Sequence, residues 1–133
     1  MTLSPYLNFP GNTAEAMAYY QGILGGTLNV ISFGQMGETD MPADGTMHAS
    51  LVGDDFALMA SDAMPGAEET WGGTRVYLSL TNPDAALMRA RFEALAADGS
   101  IGMPLEQQVW GDEFGLVKDR YGIEWMISIP AEG

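Results

Sequence analysis

Few side chains in this sequence could carry chemistry, and His48 is the first of them. It is the only histidine among the 133 residues, and it lies in Met47-His48-Ala49-Ser50, a segment with the alternation of a half-buried strand. A histidine there could carry protons or contact a ligand in a cavity. The alternative is a structural histidine that is hydrogen-bonded within a sheet.

Arg75 and Glu124 are the other two candidates for chemistry. Arg75 could bind an anionic group through two parallel hydrogen bonds, or it could pair with a neighbouring carboxylate such as Glu124. Glu124 could act beside His48 as a metal ligand or general base. The sequence leaves these alternatives open.

Several kinds of site are absent. The sequence has no cysteine, so thiolate nucleophiles, thiolate metal ligands and disulfides are excluded, and a reducing cytoplasm fits. The Gly25-Gly26 pair ends a helical pattern instead of beginning one, so it does not predict a nucleotide-binding turn. No Ser–His–acid triad is evident from spacing, although triads need not be local in sequence.

The charge balance limits the partners. Eighteen acidic residues against five basic ones give a formal net charge of −13, which disfavours nucleic acid and anionic membranes. This charge indicates either a well-solvated surface or attraction of a cationic ligand. No apolar run approaches the roughly 20 residues of a membrane span, and the start MTLSPYLNFPG lacks the features of a signal peptide. We expect a cytoplasmic protein.

The two halves of the chain share one plan. Leu7-Asn8-Phe9 and Leu78-Ser79-Leu80 each predict a short strand before a helix. We expect Asn12 to cap the first helix, with Glu15 completing a capping box, and the helix to end near Leu24. We expect Asn82 to cap the second, with Pro83 at its first position, and that helix to end near Ala97.

Three further strands follow each helix, at about 28–35, 47–53 and 56–61 in the first half and 103–110, 115–118 and 123–129 in the second. Residues 38–45 and 63–73 are predicted loops. The pattern βαβββ thus occurs twice, as a pseudo-repeat of 1–62 and 73–130. We predict an α+β fold that forms a single domain over 1–133.

Strand alternation assigns the side chains to two faces. Helices should cover the apolar faces formed by Leu3, Leu7, Phe9, Val76, Leu78, Leu80, Ile123, Trp125, Ile127 and Ile129. The opposite faces mix polar and aromatic residues, so they are either solvent-exposed or hold a ligand. Trp110 and Phe114 lie at the start of the last hairpin, where they could cover a ligand or pack against the other half.

Three segments resemble one known family. PYLNFPGNTAEAMAYYQGILGG, MHASLVGDDFALMASD and MPLEQQVWGDEFGLVKDRYGIEWMI resemble the vicinal oxygen chelate superfamily, which includes glyoxalase I, bleomycin-resistance proteins and extradiol dioxygenases. The similarity is greatest to its PhnB-like branch, also labelled demethylubiquinone methyltransferase-like. The resemblance implies two βαβββ modules that form one U-shaped, partly closed, mixed eight-stranded sheet with helices on its convex face, usually as a homodimer.

Metal-using relatives hold a divalent ion with histidine and glutamate on the concave face. The resemblance places Ser4, Met59, Arg75 and Met126 at those positions, and none of them is a good ligand for Zn²⁺, Mn²⁺ or Fe²⁺. A shift of register would bring in Glu124. One histidine per subunit excludes a site with two histidines and one carboxylate. We therefore predict no cofactor, and the sequence disfavours a divalent metal without excluding it.

The leading hypothesis is therefore a small-molecule-binding protein with no assigned reaction. Its rivals are a metal-dependent lyase, isomerase or dioxygenase that acts on a small oxygenated compound, and a protein that sequesters a cationic drug. We expect the ligand contacts to come from Tyr6, Asn8, His48, Met59, Arg75, Tyr77, Trp110, Phe114, Glu124 and Met126.

We also expect a homodimer, because the open edges of a sheet invite pairing and a twofold axis can cover them. The loops 36–41 and 64–71 carry Met36, Met41, Met64 and Trp71, adaptable apolar residues suited to a partner surface. We expect at least one of these loops to reach the partner. The alternative is that both loops cover the cavity of their own subunit.

Overall fold

A computed structural model describes residues 3–37, 40–71 and 76–131 of the chain. Two compact units, Met1–Gly72 and Gly73–Gly133, divide it. Each unit is a βαβββ module with a four-stranded mixed sheet, which confirms the predicted α+β class and its two modules. The single U-shaped sheet and the single domain stay predictions.

The first module contains β1 (Tyr6–Phe9), α1 (Thr13–Leu24), β2 (Thr27–Ser32), β3 (Thr46–Val52) and β4 (Ala57–Asp62). Short 3₁₀ turns occupy Gly34–Met36 and Ala67–Thr70. Its sheet, the first sheet, has the strand order β1-β4-β3-β2, in which β1 runs parallel to β4 and the other pairs are antiparallel.

The second module contains β5 (Leu78–Thr81), α2 (Ala85–Ala96), β6 (Ser100–Gln107), β7 (Glu113–Lys118) and β8 (Glu124–Ile129). The second sheet has the order β5-β8-β7-β6 and repeats the parallel and antiparallel pairings of the first. No helix in the described ranges is long and apolar enough to cross a membrane.

The cores follow the predicted periodicities. In the first module α1 buries Ala16, Met17 and Tyr20, which lie at helical spacing. In the second module α2 buries Met88, Phe92 and Leu95. Each helix covers one sheet face, whose buried side chains are Phe9, Ala49, Leu51, Leu58 and Ala60 in the first sheet and Val117, Trp125, Ile127 and Ile129 in the second.

The N-terminus of α1 is capped differently from the prediction. Asn12 makes no side-chain cap hydrogen bond. Instead, the Asp62 carboxylate at the end of β4 accepts from the backbone N–H of Thr13 at 3.1 Å and of Thr46 at 3.0 Å. A negative carboxylate is also favourable beside the positive end of a helix dipole. Asp62 therefore joins the helix to the sheet.

The start of α2 also differs from the prediction. The helix begins at Ala85, and its cap is Asp84, whose side chain accepts from the N–H of Leu87. Asn82 instead accepts from the N–H of Asp84 and shapes the turn before the helix. The predicted cap at Asn82 was thus two residues early, because Asp84 competes for the same role.

Glycine at position 115 permits the close packing of α2 on the second sheet. Gly115 is buried in β7, and a Cβ atom there would lie 2.9 Å from both Phe92 Cε2 and Leu105 Cα. Both distances are far inside van der Waals contact, and one of the atoms is backbone. Only glycine fits at this position without movement of β6 or α2.

The edge strand β6 is irregular. It covers Ser100–Gln107, three residues earlier than predicted, and the turn that contains Trp110 follows it. Its pairing with β7 shifts register between Ile101 and Met103 and again between Met103 and Glu106. Pro104, which has no N–H to donate, lies within the second irregularity, where an edge strand tolerates proline.

Two apolar residues predicted to be core are exposed. Leu3 is 95% exposed and Val76 is 73% exposed. Leu3 precedes β1 and Val76 precedes β5, so neither belongs to the part of the strand that a helix covers. The alternation holds within the strands and does not extend beyond their ends.

Candidate functional site

The register of the first sheet defines the face that α1 does not cover. Tyr6 pairs with Met59 across β1 and β4, and Met59 pairs with Ser50 across β4 and β3. Because paired residues share a face, one set of side chains lies opposite the helix. We call it the open face of the first sheet, and its members are Tyr6, Asn8, Thr27, Asn29, Ile31, His48, Ser50, Val52, Ala57, Met59 and Ser61.

Tyr6 and His48 form a hydrogen-bonded pair on this face. The Tyr6 hydroxyl lies 3.1 Å from Nδ1 of His48, and the two ring centroids are 5.8 Å apart. Tyr6 belongs to β1 and His48 to β3, so the bond passes over the intervening strand β4. Tyr6 is 47% exposed and His48 is half-buried, so both rings remain accessible. The structure therefore brings together two of the predicted ligand contacts.

Asn8 and Met59 lie beside this pair. Asn8 is exposed and pairs with Ser61, while Met59 is half-buried between Tyr6 and Ser50. The prediction omitted Ser50 and Ser61, although both lie on the same face as His48. The alternation in HASLV, which places Ser50 two residues after His48, was the signal that could have identified Ser50.

No aspartate, glutamate, lysine or arginine belongs to the open face of the first sheet, although the chain has 18 acidic residues. Its polar groups are hydroxyls, amides and one imidazole. The carboxylate of Asp62 lies one strand position beyond Ser61 and is engaged with backbone N–H groups. Hydrogen bonding, and not charge, is therefore the chemistry that this face offers.

The open face of the second sheet is different. Met126 pairs with Leu116, and Leu116 pairs with Met103, which gives an apolar row across three strands. Glu124 is half-buried and lies opposite Lys118 in the register of β7 and β8. Three charged residues, Glu106, Lys118 and Glu124, thus belong to this face, while the first has none.

Trp110 and Phe114 lie together beside the second sheet. Their rings meet edge-to-face, with centroids 6.1 Å apart. Trp110 is 60% exposed in the turn between β6 and β7, and Phe114 is half-buried in β7 opposite Ser128. The indole thus packs on a ring of its own module and keeps most of its surface accessible.

Tyr77 is half-buried and immediately precedes β5. Arg75 lies outside the described residues, so the predicted anionic anchor and its pairing with Glu124 stay predictions. Another arginine does form an ion pair: Arg89 of α2 donates from Nε and Nη2 to the two carboxylate oxygens of Glu113 in β7. This hydrogen bonding, with the carboxylate charge, raises the pKa of Arg89.

Three of the positions at which the family resemblance places metal ligands can be located in the structure. Ser4 precedes β1, Met59 lies in β4 and Met126 lies in β8. A hydroxyl and two thioethers are poor donors for Zn²⁺, Mn²⁺ or Fe²⁺. Within residues 3–37, 40–71 and 76–131, no group of three histidine, cysteine, aspartate or glutamate side chains could hold a metal.

Comparisons with known proteins agree with this fold. A model of the Glyoxalase/Bleomycin resistance protein/Dioxygenase superfamily matches residues 3–127. Protein YjdN of Escherichia coli (strain K12) is 35% identical over an alignment of 144 positions, which covers 97% of this chain and 95% of that protein. The crystal structure of protein PA1353 from Pseudomonas aeruginosa has a TM-score of 0.85 at 39% identity and covers 99% of both chains.

The PhnB protein from Bacillus cereus has a TM-score of 0.80 at 22% identity and covers 98% of this chain and 100% of its own. At that identity the likeness concerns the fold. The family match spans nearly the whole chain, and the relatives match over nearly all of their own lengths. The chain therefore belongs to the glyoxalase/bleomycin resistance protein/dioxygenase superfamily.

Proposed function

We propose that this protein binds an organic small molecule on the sheet faces that its helices leave uncovered, without a protein-held catalytic metal. The observation that carries the proposal is the Tyr6–His48 pair, which presents two hydrogen-bonding aromatic side chains on an accessible face without charged residues. Ligand sites in proteins combine such apolar surface with a few placed polar groups.

The donor chemistry supports binding over metal-dependent catalysis. Met59 and Met126 offer thioethers where a metal-using relative needs imidazole or carboxylate. Thioethers are polarisable and adaptable, and they suit contact with an organic ligand. We therefore derive no step through a metal and assign no reaction to the protein.

The proposal can be tested on protein purified under gentle conditions. Native mass spectrometry should show an added mass on the intact chain, and denaturation should release an organic compound that can be identified. Replacement of His48 by Gln should weaken retention of the compound by about tenfold, the loss expected for a ligand-facing hydrogen bond. Tyr19→Phe, a variant of α1, should retain it as the wild type does.

Two results would contradict the proposal. One is a stoichiometric divalent metal that the His48→Gln protein loses, because this would assign the site to metal chemistry. The other is a protein that carries no compound and whose melting temperature does not rise with any fraction of a metabolite extract. A ligand that binds only the folded protein must raise that temperature, by an amount that grows with the ligand concentration relative to its Kd.

A further inference from the structure

The two ring nitrogens of His48 have different environments. Nδ1 lies 3.1 Å from the Tyr6 hydroxyl. Among the described residues, that bond is the only one that the structure gives the imidazole, so Nε2 has no partner there. In a neutral histidine one nitrogen carries hydrogen and the other accepts, and a bond to one nitrogen determines the role of the other.

We propose that Tyr6 holds neutral His48 in the form with hydrogen on Nε2, and that this N–H donates to the carbonyl oxygen of an uncharged ligand. The inference deepens the proposed function and rests on it for the ligand. A phenol donates more readily than it accepts, because its oxygen lone pair is delocalised into the ring. The Tyr6 O–H therefore donates to Nδ1, which leaves the hydrogen on Nε2.

The absence of charge on the open face indicates the ligand class. A carboxylate there would lose hydration without meeting a cation from this face, which is costly. The net charge of −13 also repels anions in general. A cationic amine would meet an N–H donor and no carboxylate. A carbonyl oxygen needs only one donor, and Tyr6, Ile31 and Met59 offer apolar surface for the rest of the molecule.

The first experiment uses the single histidine of the chain. In protein labelled with ¹⁵N only at histidine, two- and three-bond ¹H–¹⁵N correlations report the tautomer of His48 directly at alkaline pH, where histidine side chains are generally neutral. We expect hydrogen on Nε2 in the wild type. In Tyr6→Phe the ratio of the two tautomers should move toward Nδ1–H by about two- to tenfold, the range for one net hydrogen bond.

Tyr19→Phe is the matched control, since it removes a tyrosine hydroxyl from α1, which packs on the opposite face. It should leave the tautomer ratio unchanged. Hydrogen on Nδ1 in the wild type would overturn the inference, and so would an equal ratio in Tyr6→Phe and the wild type. Both variants can be checked for folding by the dispersion of their other amide resonances.

The second experiment tests the ligand class with three probes of one shape: cyclohexanone, cyclohexanecarboxylate and cyclohexylammonium. We expect cyclohexanone to shift the His48 Nε2 resonance most, and Tyr6→Phe to weaken that response by at least about twofold. A larger response to the carboxylate or the ammonium probe would contradict the proposal that the ligand is an uncharged carbonyl compound.

The two proposals can fail separately. If Nε2–H is observed but neither a probe nor a co-purified compound binds, the proposed function fails while the role of Tyr6 stands. If a compound binds but the tautomer is Nδ1–H, the proposed function stands and this inference fails.

Discussion

The indole N–H of Trp125 donates to Oδ2 of the buried Asp119 at 2.8 Å. Oδ1 of the same carboxylate accepts from the backbone N–H groups of Tyr121 and Ile123 at 2.8 and 3.2 Å. One side chain thus closes the turn between β7 and β8 and fixes the largest ring in the second core. Trp125 is 1% exposed, so its polar group needs such a partner.

Asp119→Asn should destabilise the protein by about 2 kcal/mol, because hydrogen bonds to a charged acceptor are strong and buried donors are costly to leave unpaired. In either orientation of the new asparagine amide, its NH₂ group faces an N–H donor, so at least one hydrogen bond is lost. Urea unfolding followed by tryptophan fluorescence would measure the change. Asp98→Asn is the control, because Asp98 is exposed and its ion pair with Arg120 is on the surface. Equal stabilities of the two variants would contradict the role given to Asp119.

The two candidate caps of α1 can be compared directly. Asp62→Ala should lower the free energy of unfolding by about 2 kcal/mol, since it removes the acceptor of two backbone N–H groups. Asn12→Ala should change it by no more than about 0.5 kcal/mol, because the Asn12 Oδ1 atom is buried without a partner among the described residues. Chemical denaturation measures both. A larger loss for Asn12→Ala would restore the cap predicted from the sequence.

Two glycine-to-alanine substitutions should change the stability of the protein in opposite directions. Gly115→Ala should cost about 1–3 kcal/mol, because the added Cβ meets Leu105 and Phe92 at 2.9 Å. Gly22→Ala should stabilise α1 by about 0.5–1 kcal/mol, since Gly22 is an exposed helix residue and its added Cβ meets nothing within 4 Å. Thermal unfolding of both variants would show the contrast. A tolerated Gly115→Ala would mean that β6 or α2 moves without cost.

The predicted homodimer has a direct measurement. Light scattering at micromolar concentration should give twice the 14.2 kDa of one chain. Met36, Met64 and Trp71 are 57%, 68% and 43% exposed, as a contact surface requires. Serine at all three should weaken the dimer by more than about tenfold, whereas Val109→Ser, a fully exposed apolar site in another loop, should not. A monomer mass for the wild type would refute the dimer.

Sequence periodicity predicted the features that depend on residues close together in the sequence, such as which face of a strand is covered. The alternation of Trp125, Ile127 and Ile129 identified the covered face of β8, because a strand turns every second side chain to the same side. The same reasoning placed Tyr6 on the face of β1 opposite the helix, and the strand-like segment around His48 made that histidine a candidate ligand contact. It could not join them, since their contact requires the strand order β1-β4-β3 and a register that no local pattern encodes.

Long-range contacts account for the errors as well. Asn12 has the residue type and position of a cap, yet Asp62, 49 residues from Thr13, supplies the acceptor. The shift of α2 to Asp84 and the exposure of Leu3 and Val76 arise at element ends. Several neighbouring residues could each begin or end a helix or strand, and the tertiary structure determines which of them does.

Pro104 and the two register shifts of β6 have a consequence for aggregation. A regular edge strand offers a continuous row of N–H and C=O groups on which another chain can extend the sheet. Pro104 has no N–H to donate and the pairing of β6 shifts register twice, so β6 offers an added strand an irregular edge. We therefore expect this edge of the second sheet to be a poor template for fibrils that grow by strand addition.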